Sequence, residues 1–385
     1  MQPLKGIRVI EFCSVAAGPF CAMLLADMGA DVIKVEPPDG DSMRQWPPIS
    51  AGFSENFASL NRNKRSVALN LKDPGDNARA RALAAGADVV VENNRPGVMA
   101  RLGLDYATLS ALNPALVYCS ISAFGQDGPR AREAGFDLTL QAMSGVMSVT
   151  GEAGGEPVKC GVPLSDFATG LYAAFAAACA LREARASGKG AHVDASMFGA
   201  SLAVAALQTS QYFGSGVDPE KLGSAHPRNA PYQAFRTADG HVAMAAGNNA
   251  LFKAACAAIG RDDLVGLERF SSTAQRAAHQ AELKQIFEQA FAAKSCKEVL
   301  AMFRDAGVPC APINSYSQAL ADEQVAHMQW VQPITLPGGA ATHTFASPLR
   351  FNGQGFPIYR RPPALGEHNA EVFGEDVAMA ENGRD

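Results

Sequence analysis

The chain has 385 residues, of which 48% are apolar and 18% charged, and its formal net charge is −5. This composition is typical of a globular protein long enough to form two domains. The small negative charge excludes an overall attraction to nucleic acid, which depends on clustered lysine and arginine, so we expect no nucleic-acid partner.

Cysteine and histidine usage bears on redox state and metal binding. The eight cysteines are scattered without a CxxC pair, as is typical of reduced, buried thiols. The seven histidines include no i, i+4 pair of the kind used by helical zinc sites, so we expect no metal. The amino terminus lacks a signal-peptide pattern, and the apolar stretch Leu171–Leu181 is too short to span a bilayer. We therefore expect a cytoplasmic protein without a membrane partner.

Strand and helix patterns alternate through the first half of the chain. Helical patterns cover Phe20–Met28 and Ala78–Ala85, and a third ends near Asn113. Such alternation predicts an α/β fold with a Rossmann-like doubly wound parallel sheet. The predicted strands are Arg8–Phe12, Asp31–Glu36, Arg65–Leu71, Asp88–Glu92, Leu116–Ile121 and His192–Ala195.

The second half has a different organisation. Glycine and proline accumulate between Gly214 and Pro231, which is typical of a linker, and Asp239-Gly240 predicts a hairpin turn. Helical patterns at Asn249–Ile259 and Thr273–Arg304 follow, and then a strand pattern at Val308–Asn314. We predict a large α/β domain over residues 1–205, a linker over 206–230, a smaller α+β domain over 231–325, and a return segment over 326–385 that completes the large domain.

The first βαβ unit raises the possibility of dinucleotide binding. Glu36 closes the second predicted strand, where a Rossmann acid would bind a ribose hydroxyl. Only Gly18 stands where the G-x-G-x-x-G motif needs three glycines, which argues against nicotinamide or flavin binding. Glu36 is then a solvated acid at a strand end.

Asp166 precedes a long alanine-rich helix. By chemistry alone, an aspartate at a helix start is usually a capping residue, although the helix start also favours an ionised carboxylate. Two basic clusters, Asn61–Arg65 and Arg95 with Arg101, offer possible contacts to phosphates or simply face solvent.

The order of motifs along nearly the whole chain resembles the class III CoA-transferases, the family of formyl-CoA transferase and carnitine CoA-transferase. The motifs are Gly6–Phe12, Ala17–Pro19, Gly29–Glu36, Asn63–Ser66, Val91–Gly97, Phe124–Pro129, Gly135–Asp137, Ser165–Gly170, Ser187–Gly190 and Pro363–His368. The resemblance implies a homodimer of two interlocked, ring-like chains, each with a large domain formed by the amino-terminal part and the tail.

The resemblance also implies a mechanism. The acid at Asp166 attacks an acyl-CoA thioester and carries the acyl group, first as an anhydride and then as an aspartyl-CoA thioester. Coenzyme A enters as the thioester substrate, and no permanently bound cofactor is expected. The residues implied to line the CoA and thioester site are Ala16, Ala17, Leu69, Asn70, Leu71, Lys72, Asn93, Asn94, Arg95, Arg101, Ala134, Gly135, Phe136 and Asp137.

Three departures from formyl-CoA transferase bear on the substrate. Ala16 stands where that enzyme has glutamine, Pro37 replaces an arginine, and the stretch Pro227–Gln233 is too short for a polyglycine loop. These differences argue against formate or oxalate. We expect succinyl-CoA or another short dicarboxylyl-CoA as donor, because nearby arginine and asparagine side chains offer bidentate bonds to a second carboxylate. The alanine and Phe136 equally leave room for a more apolar acyl chain.

Two alternative functions use the same fold. An α-methylacyl-CoA racemase needs a histidine where this chain has Phe136, and a phenyl ring cannot exchange a proton. A non-catalytic CoA-binding subunit would not need Asp166 in its complete motif. Thioester exchange, α-hydrogen exchange and CoA binding without turnover distinguish the three.

Overall fold

The computed structural model describes residues 2–374, and the chain forms two compact units. The larger unit comprises the chain up to Val146, Lys159–Gly216 and the chain from Glu323. The smaller unit comprises Met147–Val158 and Val217–Asp322. The segment expected to be a linker, residues 206–230, begins with the helix Ala206–Ser215. The division between the units lies at Gly216, within the stretch from Gly214 in which glycine and proline accumulate.

A parallel sheet of six strands forms the centre of the larger unit. Its strands are β1 (Arg8–Phe12), β2 (Asp31–Glu36), β3 (Lys64–Ala68), β4 (Val89–Glu92), β5 (Val117–Ser122) and β6 (Ala191–Ser196). Their spatial order is β3-β2-β1-β4-β5-β6. This is the order of the doubly wound nucleotide-binding folds. The predicted α/β fold with a parallel sheet is therefore confirmed.

The strands form because apolar and β-branched residues can be buried on both faces of a parallel sheet. Val9 pairs with Val32 on one side and with Val89 on the other, and all three are almost fully buried. Glu11 and Lys34, which also pair across β1 and β2, are fully buried although they carry charges. They break the apolar pattern directly below the loop that follows β1.

Helices cover both faces of this sheet. Gly170 of the helix Leu164–Ser187 meets the helix Ala17–Asp27 closely: a Cβ at Gly170 would lie 2.8 Å from the Ala17 carbonyl oxygen. The other helices of the larger unit are the 3₁₀ turn Ser42–Gln45 and the α-helices Glu55–Leu60, Pro74–Ala85, Val98–Arg101, Tyr106–Leu112, Asp137–Met143, Met197–Val204, Ala206–Ser215, Glu323–Met328 and Asn369–Phe373.

Within residues 2–374, Leu164–Ser187 is the one helix whose length and apolar composition would permit a membrane crossing. It packs on β5 and β6 as well as on the helix Ala17–Asp27. Its small residues Ala173 and Ala177 are fully buried in this contact. Other side chains of this helix are exposed, among them Phe175 at 71%.

The carboxyl-terminal part of the described chain packs against β3. Asn369 Oδ1 accepts the Ala68 amide at 2.9 Å, and the His368 amide donates to the Ser66 carbonyl at 2.9 Å. Three short hairpins complete this unit. Their strands are Ile49–Ser50 with Phe53–Ser54, Val331–Thr335 with Ala341–Phe345, and Arg350–Phe351 with Gln354–Gly355.

The smaller unit has a core of phenylalanines around a three-stranded antiparallel sheet. The central strand His241–Ala245 pairs with Tyr232–Arg236 and with Cys310–Pro312. The helical segments of the smaller unit are Asn249–Ala258, Asp262–Gly266, Glu268–Phe270, Thr273–Ala278, Gln280–Phe291, Cys296–Asp305 and Tyr316–Leu320. The short helix Val146–Val149 begins at the last residue of a segment of the larger unit and continues into the smaller unit. The single helical pattern predicted over Thr273–Arg304 is thus three helices, because His279 and Ser295 begin new ones.

Candidate active site

The site lies where the strand order reverses. β1 and β4 are neighbours in the sheet, and connections from this point run to opposite edges. Ligands of open α/β sheets bind in the crevice outside the carboxyl ends of the strands at such a switch point. A cavity of about 210 Å³ opens there, which we call the Asp166 cavity. It is lined by Ser14–Ala17, Asn93–Pro96, Ile121–Ala123, Glu133–Phe136, Asp166 and Met197.

Asp166 occupies the first turn of the helix Leu164–Ser187, and its side chain does not cap the helix. The residue is half-buried. Burial, together with the nearby carboxylate of Asp137, raises the pKa of Asp166 to about 6. The helix start was expected to favour the ionised carboxylate, whereas desolvation and the charge of Asp137 favour the protonated form. Asp166 is still mostly ionised at neutral pH.

Asp137 connects the Asp166 helix to the helix Asp137–Met143. One oxygen of its carboxylate accepts the Ser165 amide at 2.9 Å, and the other accepts Gln141 Nε2 at 2.7 Å. The Ser165 hydroxyl is buried and accepts a bond from Ser201 Oγ at 2.8 Å. These contacts give the amide and hydroxyl of Ser165, at the start of the helix Leu164–Ser187, hydrogen-bond partners from outside that helix. They thereby fix the position of the neighbouring Asp166 carboxylate.

The loop after β1 presents backbone to the same cavity. Val15 has a φ of 66°, in the left-handed region that β-branched residues avoid. Gly18 has no room for a side chain, because a Cβ would lie 2.4 Å from Cys13 Sγ. Ala16 precedes the helix Ala17–Asp27 and offers no side-chain cap to its first amides. A helix start without a side-chain cap next to a cavity favours the binding of negative charge.

A second cavity, of about 540 Å³, is also lined by residues of the β1 loop. Ser14 and Asn94 line both cavities, so the two are neighbours. Lys72 and Arg101 are exposed and supply positive charge. We call this the basic cavity; it is lined by Phe12–Ser14, Val35–Pro37, Gly40–Ser42, Leu69–Lys72, Asn94, Val98, Met99, Arg101 and Leu102.

The structure brings the residues implied by the resemblance together in these two cavities. Ala16, Ala17, Asn93, Asn94, Arg95, Ala134, Gly135, Phe136 and Asp166 line the Asp166 cavity, and Leu69, Asn70, Leu71, Lys72, Asn94 and Arg101 line the basic cavity. Asp137 contacts the Asp166 helix as described. Arg95 lines the Asp166 cavity and is absent from the basic cavity, which separates it from Arg101.

Glu36 is not the solvated acid expected from the sequence. It is buried, and its carboxylate accepts both Arg44 guanidinium bonds at 2.7 Å and the Ser66 hydroxyl at 2.6 Å. Burial opposes ionisation, but Arg44, Lys34 and Ser66 together lower the pKa of Glu36. Its oxygens are therefore used within the protein, which removes the ribose-binding role.

The basic cluster Asn61–Arg65 is also used internally. Arg62 pairs with Asp27 and Arg65 with Asp31, while Lys64 lies fully buried against Glu11. Of the two basic clusters singled out in the sequence, Arg95 and Arg101 line the two cavities described above.

Some of the residues near the site were not identified in the sequence analysis. Ser122 and Met197 line the Asp166 cavity from the ends of β5 and β6, and no local motif marks them. Asp41 holds the β1 loop from a turn after β2. One signal in the sequence could have indicated buried charge near the site: Lys34 stands between Ile33 and Val35, in the middle of a buried strand. Within residues 2–374, no group of three or more metal-ligating side chains comes together.

Comparison with known proteins shows the family to which the chain belongs. Residues 4–369 match the family model described as CoA-transferase family III. The chain is 40% identical over 381 residues to the succinate–glutarate CoA-transferase of Agrobacterium fabrum, covering 97% of this chain and 95% of that protein. It is 36% identical to the succinyl-CoA:glutarate CoA-transferase of Mus musculus, covering 97% and 86%.

A crystal structure of a CAIB/BAIF family protein from Brucella suis is similar over 97% of this chain and 98% of that one, with a TM-score of 0.86 and 37% identity. The family model, which matches residues 4–369, spans the sheet, the β1 loop and the helix that bears Asp166. The chain therefore belongs to CoA-transferase family III.

Proposed function

We propose that this enzyme transfers CoA from succinyl-CoA to a short dicarboxylic acid, with Asp166 as the nucleophile. The observation that carries the proposal is the Asp166 carboxylate, half-buried at the switch point and facing a cavity beside a larger basic one. Relatives named for succinate, glutarate and mesaconate as CoA acids support the substrate class.

Each chemical step is a nucleophilic substitution at an acyl carbon. An Asp166 oxygen attacks the thioester carbonyl, the C–S bond breaks, and CoA thiolate leaves a mixed anhydride. The thiolate then attacks the aspartyl carbonyl of that anhydride and releases the donor carboxylate, leaving an aspartyl-CoA thioester. The acceptor carboxylate attacks the aspartyl carbonyl of this thioester, the C–S bond breaks, and CoA thiolate leaves a second mixed anhydride between Asp166 and the acceptor. The thiolate then attacks the acceptor acyl carbon of that anhydride, which forms the new acyl-CoA and releases the Asp166 carboxylate. No proton or electron is gained overall.

The β1 loop supplies the group that stabilises the developing negative oxygen. The amides of Ala16, Ala17 and Gly18 begin the helix Ala17–Asp27, where no side chain caps them. Such preoriented N–H groups stabilise a tetrahedral oxyanion without reorganisation. The small side chains at these positions let a thioester approach the backbone closely.

The basic cavity suits the remainder of the CoA molecule. Lys72 and Arg101 are exposed cations for its phosphates, and the segment Leu69–Leu71 offers apolar surface and backbone. Ser14 and Asn94, which line both cavities, mark the passage to Asp166 for the thioester arm.

Arg95 is the group that we assign to the second carboxylate of the dicarboxylic acid. Within residues 2–374 it makes no ion pair with an acid, and it is the one cationic side chain lining the Asp166 cavity. Its planar guanidinium binds a carboxylate through two parallel bonds. Glu133, the other charged neighbour, is already paired with Arg130 at 3.4 Å.

We further propose a cytoplasmic, interlocked, ring-like homodimer with no permanent cofactor and no membrane partner. In each chain of this dimer, the tail completes the large domain. Exposed apolar side chains support an assembly, among them Phe175 at 71% and Phe213 at 82% exposure. The mass of the protein in solution, measured by light scattering, tests this: a monomer would exclude the interlocked form.

A racemase remains the second candidate within this fold, and Phe136 argues against it. Its ring is 73% exposed at the Asp166 cavity, where a racemase needs a base. A non-catalytic CoA-binding protein is the third. Exchange of the α-hydrogen, or CoA binding without transfer, would identify these alternatives.

The proposal is tested by incubating succinyl-CoA with a panel of acids and following both acyl-CoA products and the protein's mass. The native enzyme should transfer CoA and carry a CoA adduct, and Asp166→Ala should lose both. Equal activity of the two proteins would remove Asp166 from the mechanism.

The role of Arg95 is tested by comparing glutarate with valerate, which has the same length but one carboxylate. Arg95→Gln should lower kcat/KM for glutarate about 10²-fold and leave valerate nearly unchanged, since one charge-assisted carboxylate contact is lost. Arg101→Gln is the matched control: it should raise the KM of the CoA donor equally with both acceptors. An equal effect of Arg95→Gln on both acceptors would instead make Arg95 a CoA contact.

A further inference from the structure

Four charged side chains lie buried beneath the β1 loop, and the proposed reaction does not use them directly. Glu11, Lys34 and Lys64 have no exposed surface, and Asp41 is 2% exposed. We call these residues the buried charge cluster. Two cations and two carboxylates balance each other, so the cluster is neutral as a whole.

The ion pairs of the cluster form a chain. Lys34 Nζ lies 3.0 Å from Glu11 Oε1 and 3.1 Å from Asp41 Oδ2. Lys64 Nζ lies 2.8 Å from the other oxygen of Glu11 and also donates to Asn61 Oδ1 at 2.9 Å. Burial by itself lowers the pKa of Lys34, but the carboxylates of Glu11 and Asp41 more than offset it and raise that pKa.

The cluster holds the loop Cys13–Pro19 at three points. Lys34 Nζ donates to the Cys13 carbonyl at 2.7 Å, and Lys64 Nζ donates to the Pro19 carbonyl at 2.9 Å. Between them, the Val15 amide donates to both Asp41 oxygens at 3.2 and 3.1 Å. Both ends and the strained residue of the loop are therefore bound to buried charges.

A contribution to stability does not by itself explain such a cluster. Buried ion pairs lose much of their attraction to desolvation, and apolar side chains of similar volume often stabilise a fold more. Val15 adds strain by adopting a φ of 66°. Strain of this kind persists only where the surroundings determine the conformation, and here the Asp41 carboxylate does so.

We propose that Glu11, Lys34, Asp41 and Lys64 are positioning residues for acyl transfer: they hold the β1 loop so that the amides of Ala16, Ala17 and Gly18 face the reacting carbonyl at Asp166. The loop lines the Asp166 cavity from Ser14 to Ala17 and separates it from the basic cavity. Its conformation therefore sets where the carbonyl oxygen lies when the thioester reaches Asp166. This inference rests on the proposed function.

The experiment measures the rate of CoA-adduct formation at Asp166 in a single turnover, beside the KM of the donor and the melting temperature. Asp41→Ala should slow adduct formation about 10²-fold, as expected if the oxyanion-binding amides are displaced. The donor KM should change by less than about 3-fold, because the Asp41 side chain has no exposed surface with which to contact CoA. Asp41→Asn, which keeps an oxygen for the Val15 amide, should recover part of that loss.

Val15→Gly keeps the test decisive if the Asp41 variants fold poorly. Glycine tolerates positive φ, so the melting temperature should stay the same or rise, while adduct formation slows about 10-fold because the loop is less restricted. Asp27→Asn is the matched control: it disturbs a buried pair with Arg62 at the far end of the helix Ala17–Asp27. This control should lower stability and leave adduct formation at the native rate.

Two different outcomes would contradict this inference and the proposed function, respectively. If the native enzyme transfers CoA while the Asp41 and Val15 variants form adduct at the native rate per folded molecule, the cluster is only structural and this inference fails. If the native enzyme neither forms an adduct nor transfers CoA, the proposed function fails as well.

Discussion

Replacement of Asp166 by asparagine should stabilise the larger unit at neutral pH. The fold raises the pKa of Asp166 from 3.8 to about 6, so the ionised carboxylate is less favourable in the folded than in the unfolded chain. At about 1.4 kcal/mol per pH unit, this difference corresponds to at most about 3 kcal/mol. Because the carboxylate is half-buried and partly screened by water, we expect a gain of about 1–2 kcal/mol for Asp166→Asn.

The sign of this effect depends on pH. Above pH 6 the carboxylate is ionised in both states, and the full unfavourable contribution is present. As pH falls from about 6 towards 3.8, the folded state takes up the proton first and the contribution shrinks. Below 3.8 both states are protonated and the contribution disappears. The advantage of Asp166→Asn should therefore be present at pH 7.5 and absent near pH 3.5.

Urea denaturation of the native protein and of Asp166→Asn at these two pH values measures the effect. The free energy of the transition that includes the larger unit is compared at each pH, with equal slopes against urea as the check on comparable transitions. A variant that is less stable than the native protein at pH 7.5, or that differs equally at both pH values, would refute the assignment of desolvation as the dominant cause.

Three further predictions concern the pH dependence of the reaction, the influence of Asp137 and the packing of the helix that bears Asp166. In the proposed mechanism the ionised Asp166 is the attacking group, so the rate of adduct formation should rise with pH about a midpoint near 6. At pH 5 it should fall to roughly one tenth of its plateau. Asp137→Asn should move that midpoint to lower pH because it removes the nearby charge; an unmoved midpoint in stopped-flow measurements would argue against that influence. Gly170→Ala should lower stability by about 1–3 kcal/mol, because its Cβ would lie 2.8 Å from the Ala17 carbonyl oxygen and from Phe20. Gly161→Ala, which meets no atom within 4 Å, is the control in thermal denaturation, and equal melting temperatures would contradict the close packing.

The local pattern of the sequence determined much of the sheet. β1 and β2 have the predicted bounds, because strands buried on both faces read as short apolar runs between turn residues. The long helix after Pro163 was also predictable from its alanine content. Boundaries shifted where a residue outside the pattern begins or ends an element, as at Pro74, which starts its helix four residues before the predicted one.

The candidate site was likewise only partly predictable from the sequence. The order of motifs along the chain indicated the family and the residues that gather around Asp166. The charge environment was not predictable: Asp137 and Ser165 are 28 residues apart yet meet through a hydrogen bond, and this contact accompanies a pKa near 6. The helix start, which the sequence does predict, favours the ionised carboxylate, whereas burial and Asp137 favour the protonated form.

The sequence by itself determined which segments become strands and helices, since these depend on neighbours one to four positions away. The tertiary structure alone decided which strand ends meet, because the order β3-β2-β1-β4-β5-β6 brings the loops after β1 and β4 to one crevice. It also decided that Lys34, Lys64 and Glu36 serve the protein interior rather than a ligand, because burial forces each charge to find a partner within the fold.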